Sequence, residues 1–393
     1  MRIRGKRKKP AVAPENLTES GIYYKKLADK YHIAVRIVLV LLVIFLIAAL
    51  ITGHSALKAE NFRYLLQSAG LGASAAENPY SNIVYTADSS TAFALYEENL
   101  AVAGDGSVCL YHPSGEVLLR ISAEGKATVD TSGKYMAVYT PGSRSLTLYH
   151  SFAQVHAQTT ESPIGTAAVA ENGAFAVSVT EGSGASILVY NSEFQPAYMW
   201  TIENGVVFDL AISPDGKSVA VLLLSFSSGS YYTELAVKNI RTDRLLTTEQ
   251  FPGKMPVCVE FFSGGGFFAA VDGSISFYRA GGEKISQQAI PAGSFRYSTD
   301  GRDVAILTSS SQIAVFSGTG DRKAEFSLER TAFDIDYYDG LVCCISEATL
   351  YLCDTSSDAA TQYQVDEGVL DLFLLDDGSV LLCYASGAKR WIP

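Results

Sequence analysis

Charge is scarce in this chain and unevenly spread. Of 393 residues, 18% are charged and 48% are apolar, too apolar a balance for a disordered protein. Basic charge is concentrated at the start. Residues 1–36 carry Arg2, Arg4, Lys6, Arg7, Lys8, Lys9, Lys25, Lys26, Lys30 and Arg36 against Glu15, Glu19 and Asp29. Residues 37–53 carry no charge, so the remainder holds 20 basic and 38 acidic residues, a net of −18. A surface that acidic repels phosphate, which excludes nucleic acid as the partner of residues 54–393. The signatures of several chemistries are also missing. No His-x-x-x-His or Cys-x-x-Cys spacing occurs, and no Gly-x-Ser-x-Gly elbow. The six cysteines (Cys109, Cys258, Cys343, Cys344, Cys353, Cys383) lie in or beside apolar runs and read as buried thiols, with a single disulfide as the alternative. We therefore expect no metal, no cofactor and no catalytic set.

One long apolar run is present. "IVLVLLVIFLIAALITG" (37–53), extended by Ile33-Ala34-Val35, gives about 21 residues, near the ~20 that span a bilayer. A cleaved signal peptide has a shorter apolar core behind a shorter basic region, and "GHS" (53–55) is a poor cleavage site. The expectation is a single uncleaved transmembrane helix at 33–53, embedded in the lipid bilayer. The basic segment 1–32 would be cytoplasmic, with everything after it outside the cell membrane. "SALKAENFRYLLQSAG" (55–70) suits a short amphipathic helix, and residues 54–80 read as that helix plus a linker.

The rest of the chain repeats. "FDLAISPDGKSVAV" (208–221) is two apolar runs around a Pro-Asp-Gly turn. Seven other stretches share this form, from "FALYEENLAVAG" (93–104) to "LFLLDDGSVLLCYA" (372–385), with turn residues roughly every 34 to 49 positions. Most copies continue into a third strand of alternating pattern, such as "SLTLYH", "SILVYN" or "TLYLCD", and a fourth, more polar one. Four antiparallel strands per repeat describe an all-β β-propeller of WD40 or quinoprotein type, spanning 81–393. The last copy has three strands, and one spare strand, "SNIVYT" (81–86), precedes the first. Pairing the spare strand into the last blade closes the ring and hides both edges, which favours eight blades over seven.

"NGAFAVSVTEGSGASILVYN" (172–191) and "YMWTIENGVVFDLAISPDGKSVAVLLLSFSSGSYYTELAV" (198–237) resemble a family of uncharacterised bacterial proteins, mostly from Gram-positive anaerobes. That resemblance implies a short cytoplasmic segment, one membrane helix and an extracytoplasmic propeller, but no activity.

Function is less legible. A quinoprotein dehydrogenase would need a tryptophan in most blades, and only Trp200 and Trp391 are present. The connections "TEGSGAS" (180–186) and "SFSSGSYYT" (225–233) are longer than the "GDGS" or "DGS" of other copies, and equivalent loops of adjacent blades share one face. Thr180, Glu181, Ser183, Ser186, Tyr231 and Tyr232 are therefore the candidate binding residues. The expected role is a non-enzymatic binding or scaffold module for an envelope protein or a cell-wall polymer. The alternatives are a polysaccharide hydrolase or lyase with acidic residues at the pore, and a transmembrane sensor subunit.

Overall fold

Each repeat must bury one apolar face, and a strand buries it by packing against the next sheet rather than within its own. The computed structural model describes residues 83–227, 229–293, 295–308 and 311–393. It also describes Pro79, Tyr80, Tyr31, Arg36, Leu39 and Val40. The chain divides into two units, Met1–Leu66 and Gln67–Pro393. In the first unit Tyr31, Arg36, Leu39 and Val40 are helical and exposed. The expected membrane helix at 33–53 and the short helix at 55–70 otherwise lie outside the described residues. Among the described residues no helix is long and apolar enough to cross a membrane.

The second unit contains eight antiparallel sheets in sequence order. Blade 1 is β1 (Ala92–Tyr96), β2 (Asn99–Tyr111) and β3 (Val117–Lys126); blade 2 is β4 (Thr128–Ser132), β5 (Tyr135–Tyr139), β6 (Ser145–His150) and β7 (Ala153–Thr159). Blade 3 is β8 (Ile164–Val169), β9 (Phe175–Glu181), β10 (Gly184–Tyr190) and β11 (Pro196–Ile202); blade 4 is β12 (Val206–Ile212), β13 (Ser218–Ser227), β14 (Ser230–Asn239) and β15 (Arg244–Pro252). Blade 5 is β16 (Pro256–Phe261), β17 (Phe267–Val271), β18 (Ser274–Tyr278) and β19 (Lys284–Ala289); blade 6 is β20 (Phe295–Thr299), β21 (Asp303–Thr308), β22 (Gln312–Ser317) and β23 (Arg322–Ser327). Blade 7 is β24 (Asp334–Tyr338), β25 (Leu341–Ser346), β26 (Thr349–Asp354) and β27 (Ala359–Gln364); blade 8 is β28 (Val369–Leu374), β29 (Val380–Tyr384) and β30 (Gly387–Trp391).

The core is a ring of eight apolar clusters, each filling one seam between adjacent blades. Tyr96 and Leu110 of blade 1 pack with Met136 and Tyr149 of blade 2, and so on around the axis. The eighth cluster joins Leu100 and Val102 of blade 1 to Leu381 and Cys383 of blade 8, so the ring closes. The segment expected as a spare strand lies at the predicted edge, but among the described residues it forms a single bridge rather than a fourth strand. Val84 bridges Gly387 at the edge of blade 8, and the amides of Ala388 and Ala87 donate to the carbonyls of Ile83 and Ala385. Ile83 is 2% exposed within the closing cluster, while the adjacent Val84 is 74% exposed on the outer side. Eight blades, not seven, is the count. Blade 1 differs from expectation in one respect: its second and third segments form the single 13-residue β2, paired with β1 early and with β3 late.

The first strand of each blade is innermost. β12 packs against both β8 and β16, and β24 against β20 and β28. Two faces follow from this up-and-down order. On the turn face lie the first-to-second-strand turns; on the hairpin face lie the second-to-third-strand hairpins and the crossovers between blades. Neighbouring turns touch on the turn face: Asn172 donates from its side-chain amide to the Asp215 carbonyl, and the Ser263 amide donates to the Gly301 carbonyl. Gly216 shows why the turn needs glycine. Its φ is +67°, and a Cβ there would stand 2.7 Å from the Ala174 Cβ of the preceding blade.

Candidate functional site

Blade 4 stands out on the hairpin face. Its β13 and β14 each have 10 residues, against 5 each for β17 and β18 of blade 5. At roughly 3.3 Å per residue, the extra length lifts the hairpin tip by about 16 Å relative to that of blade 5. The sequence reading of loops at 180–186 and 225–233 is corrected here. Both are strand. Glu181 pairs with Gly184 across the two-residue turn Gly182-Ser183, and Ser227 pairs with Ser230. The longer connections are longer strands, because alternating polar and apolar residues extend the ladder instead of leaving it.

The six sequence-derived residues therefore divide. Thr180, Glu181 and Ser183 are exposed at the blade 3 hairpin. Ser186 is 2% exposed, and its hydroxyl donates to Glu181 Oε2 at 2.8 Å, which fixes the hairpin from within. Tyr231 is exposed and Tyr232 half-buried; Tyr232 lies opposite Pro252 in the β14–β15 ladder. Sequence reasoning missed Phe226. It is 74% exposed, directly opposite Tyr231, with ring centroids 6.5 Å apart. Val206 and Phe208 at the start of β12, and Met255 in the crossover to blade 5, add exposed apolar surface at the same end of blade 4. Phe208 is the extra residue of a bulge between Val207 and Asp209. The end of the blade is braced: the Gly253 amide donates to the Tyr231 carbonyl, and the Thr233 hydroxyl to the Lys254 carbonyl at 2.7 Å.

A second feature is the axial channel. A cavity of about 450 Å³ is lined by the inner strands of blades 2 to 6 and by Glu171, Pro214, Ser263, Asp300 and Gly301 of the turn face. Asp130, Asp209 and Glu260 line it. Asp130 Oδ2 accepts from the Val169 amide of the next blade at 2.7 Å, and Asp209 Oδ2 from the Val259 amide at 2.8 Å. Glu260 Oε2 accepts from the Tyr297 hydroxyl at 3.3 Å. Burial pushes Asp130 up to about 6, helped by the charge of Asp209 and opposed by the Val169 amide. Asp209 is likewise pushed up to about 6 by burial. Glu260 is pushed up to about 8, by burial first and then by the charges of Asp130 and Asp209.

Across the channel, Asp336 of β24 accepts from the Leu374 amide at 2.7 Å and from the Ser298 hydroxyl at 2.5 Å, and burial raises it. Asp334 and Asp371 hydrogen-bond to each other, so one of them holds a proton; burial raises both, and Arg296 partly offsets this at Asp334. Sequence reading found no acid pair because these residues are far apart in sequence and meet only at blade seams. Their one signal is an acid inside an otherwise apolar first strand, as in "FDLAI" and "VEFF".

Among the described residues no group of three or more His, Cys, Asp or Glu stands close enough to hold a metal ion. All six cysteines are buried and unpaired, and burial raises the Cys258, Cys343 and Cys344 thiols well above the usual range. His156 stacks on Phe194, with centroids 5.2 Å apart, and His112 Nδ1 pairs with the Ser114 hydroxyl at 2.8 Å.

Comparison with known proteins gives a family and a fold. Residues 78–390 match the profile described as "Family of unknown function (DUF5711)", and the chain belongs to that family. Among solved structures, it is similar to BamB from Moraxella catarrhalis, with 13% identity and a TM-score of 0.52, over 78% of this chain and 95% of that one. It is also similar to the C-terminal WD40 domain of Sif2, with 12% identity and a TM-score of 0.56, over 80% of this chain and 99% of that one. At these identities the likeness shows the eight-bladed all-β architecture alone. No curated protein sequence matches the chain.

Proposed function

We propose that this member of a family without established function is a binding or scaffold module whose partner is another envelope protein, captured on the hairpin face of blade 4. The exposed apolar end of that blade carries the reading. Phe226 and Tyr231 pair on a braced, projecting hairpin, and Val206, Phe208 and Met255 are exposed at the same end of the blade. Aromatic residues on a rigid support lose little entropy on binding and dominate interface energy. Aliphatic side chains among them favour a protein over a wall polymer, which is mostly polar. Tyr80, where the N-terminal chain joins the propeller, is tied at the other face: its amide donates to the Pro113 carbonyl and its hydroxyl to the Glu98 carbonyl.

The reading includes an anchor. The uncharged run 37–53 and the basic residues before it support a single membrane helix with the N-terminus cytoplasmic and the propeller outside. The test is quantitative co-purification of the full-length protein after crosslinking in cells. Phe226→Ser with Tyr231→Ser should cut recovery of one dominant protein partner by about tenfold or more. Equal recovery with a folded variant contradicts the reading, and recovery of wall polymer in place of protein changes the partner class.

A second reading, a hydrolase acting on wall polysaccharide, is favoured by one observation. Glu260 holds a proton near neutrality in a cavity shared with two more carboxyls. It is weaker because all three carboxyls already bond across blade seams. Turnover of a panel of wall glycans by the full-length protein, lost in Glu260→Gln, would support it.

A further inference from the structure

The axial channel shows an arrangement that a passive core has no need of. Asp130, Asp209 and Glu260 each leave their own inner strand to bond to the inner strand of the following blade, at the 2/3, 4/5 and 5/6 seams. All three line the same cavity of about 450 Å³. Among the described residues lining it there is no lysine, arginine or histidine to offset them. We propose that the channel is a proton-operated brace: with its carboxyls protonated the 2/3, 4/5 and 5/6 seams hold, and ionisation loosens them through the repulsion of like charges buried in one cavity without a cation.

Every element around the cavity adds to the same sign of charge or is neutral. β4 supplies Asp130, β12 supplies Asp209, and β16 supplies Glu260, with the Cys258 thiol nearby. β5 and β20 supply the phenols Tyr139 and Tyr297, and β8 supplies only the Thr166 hydroxyl and apolar or backbone surface. The turn-face rim adds Glu171 and Asp300. Ionising one carboxyl therefore raises the cost of ionising the next. Each cross-seam bond favours the charged acceptor, but burial and the facing acids outweigh it, and all three groups stay above the ordinary carboxylate range.

The sign follows from proton linkage. A carboxyl raised on folding binds more protons in the folded chain than in the unfolded one, so its stabilisation is complete in acid and is lost as pH rises through the folded value. For Asp130 and Asp209 that loss runs from about 4 to about 6, and for Glu260 from about 4.5 to about 8. Glu260 is thus the last to ionise and controls the upper part of the window.

The test has two readouts on the full-length protein. The thermal unfolding midpoint should fall as pH rises from about 4 to about 8. Glu260→Gln, whose amide oxygen still accepts from Tyr297, should make the fall between about pH 6 and about pH 8 shallower, leaving the share of Asp371 and Glu97, which burial raises to about 9 and about 7. Independently of stability, the native protein should show the infrared band of protonated carboxyls near neutral pH, weakened in Glu260→Gln by the loss of one group, with the remainder belonging to the Asp334–Asp371 pair and Glu97. A midpoint flat or rising over that range, an unchanged fall in Glu260→Gln, or a neutral-pH carboxyl band undiminished in Glu260→Gln would each overturn the proposal.

Discussion

Ile83 and Val84 are consecutive residues of the segment that closes the ring, and replacing each by alanine should give very different results. Ile83 is 2% exposed and packs among Leu381, Cys383 and Ala388 of blade 8 and Leu100 and Val102 of blade 1. Val84 forms the bridge to Gly387 through its backbone, with its side chain 74% exposed. Truncating a fully buried isoleucine removes its transfer energy and leaves a cavity, at a cost of about 2–5 kcal/mol. The unfolding entropy of a domain of about 310 residues is on the order of 0.65 kcal/mol per degree, so the midpoint should fall by about 3–8 °C. Val84→Ala keeps the backbone bridge and should change stability by less than about 0.5 kcal/mol. Denaturant titration followed by far-ultraviolet circular dichroism measures both. Trp391 fluorescence in a Trp200→Phe background, which reports on β30, locates the change at the closing seam. Equal effects of the two variants, or a loss below about 0.5 kcal/mol for Ile83→Ala, would refute closure by this segment.

Two further outcomes follow from the seams. Tyr96→Phe should cost about 1–3 kcal/mol in denaturant titration. The Tyr96 hydroxyl donates to the Lys134 carbonyl at 2.6 Å and accepts from the buried Ser151 amide at 2.9 Å, and phenylalanine leaves both without it. Gly216→Ala should also destabilise, by about 1–3 kcal/mol, since it combines a left-handed φ with contact against Ala174 and Asn172. Gly106→Ala, with positive φ but open space around it, should cost less by the same titration, and the difference isolates the packing between neighbouring turns.

The fold was largely legible because its determinants are local. Hairpins such as 208–221 and the alternation of "SLTLYH" fix strands and turns within a dozen residues. The spare segment at 81–86 could be placed because an edge without a partner is costly. The length of 225–233 was legible but its form was not: the same extra residues can make a loop or a longer ladder. Pairing of Phe226 with Tyr231, which depends on register, decides for the ladder. The channel acids were the least legible. Asp130 and Val169 are 39 residues apart, and Asp209 and Val259 are 50 apart. Only ring closure makes them neighbours, and no residue beside Asp209 in sequence announces its partner.

The central functional claim is that the blade 4 hairpin meets a protein. A photocrosslinking residue placed at Tyr231 in living cells tests it most directly, with the same residue at Glu193 as the control. Glu193 is exposed at the third-to-fourth-strand turn of blade 3, on the opposite face. The account predicts one dominant protein adduct from position 231, absent from position 193 and lost when Phe226 is replaced by serine. Adducts of equal yield from both positions, or none from position 231, would contradict it.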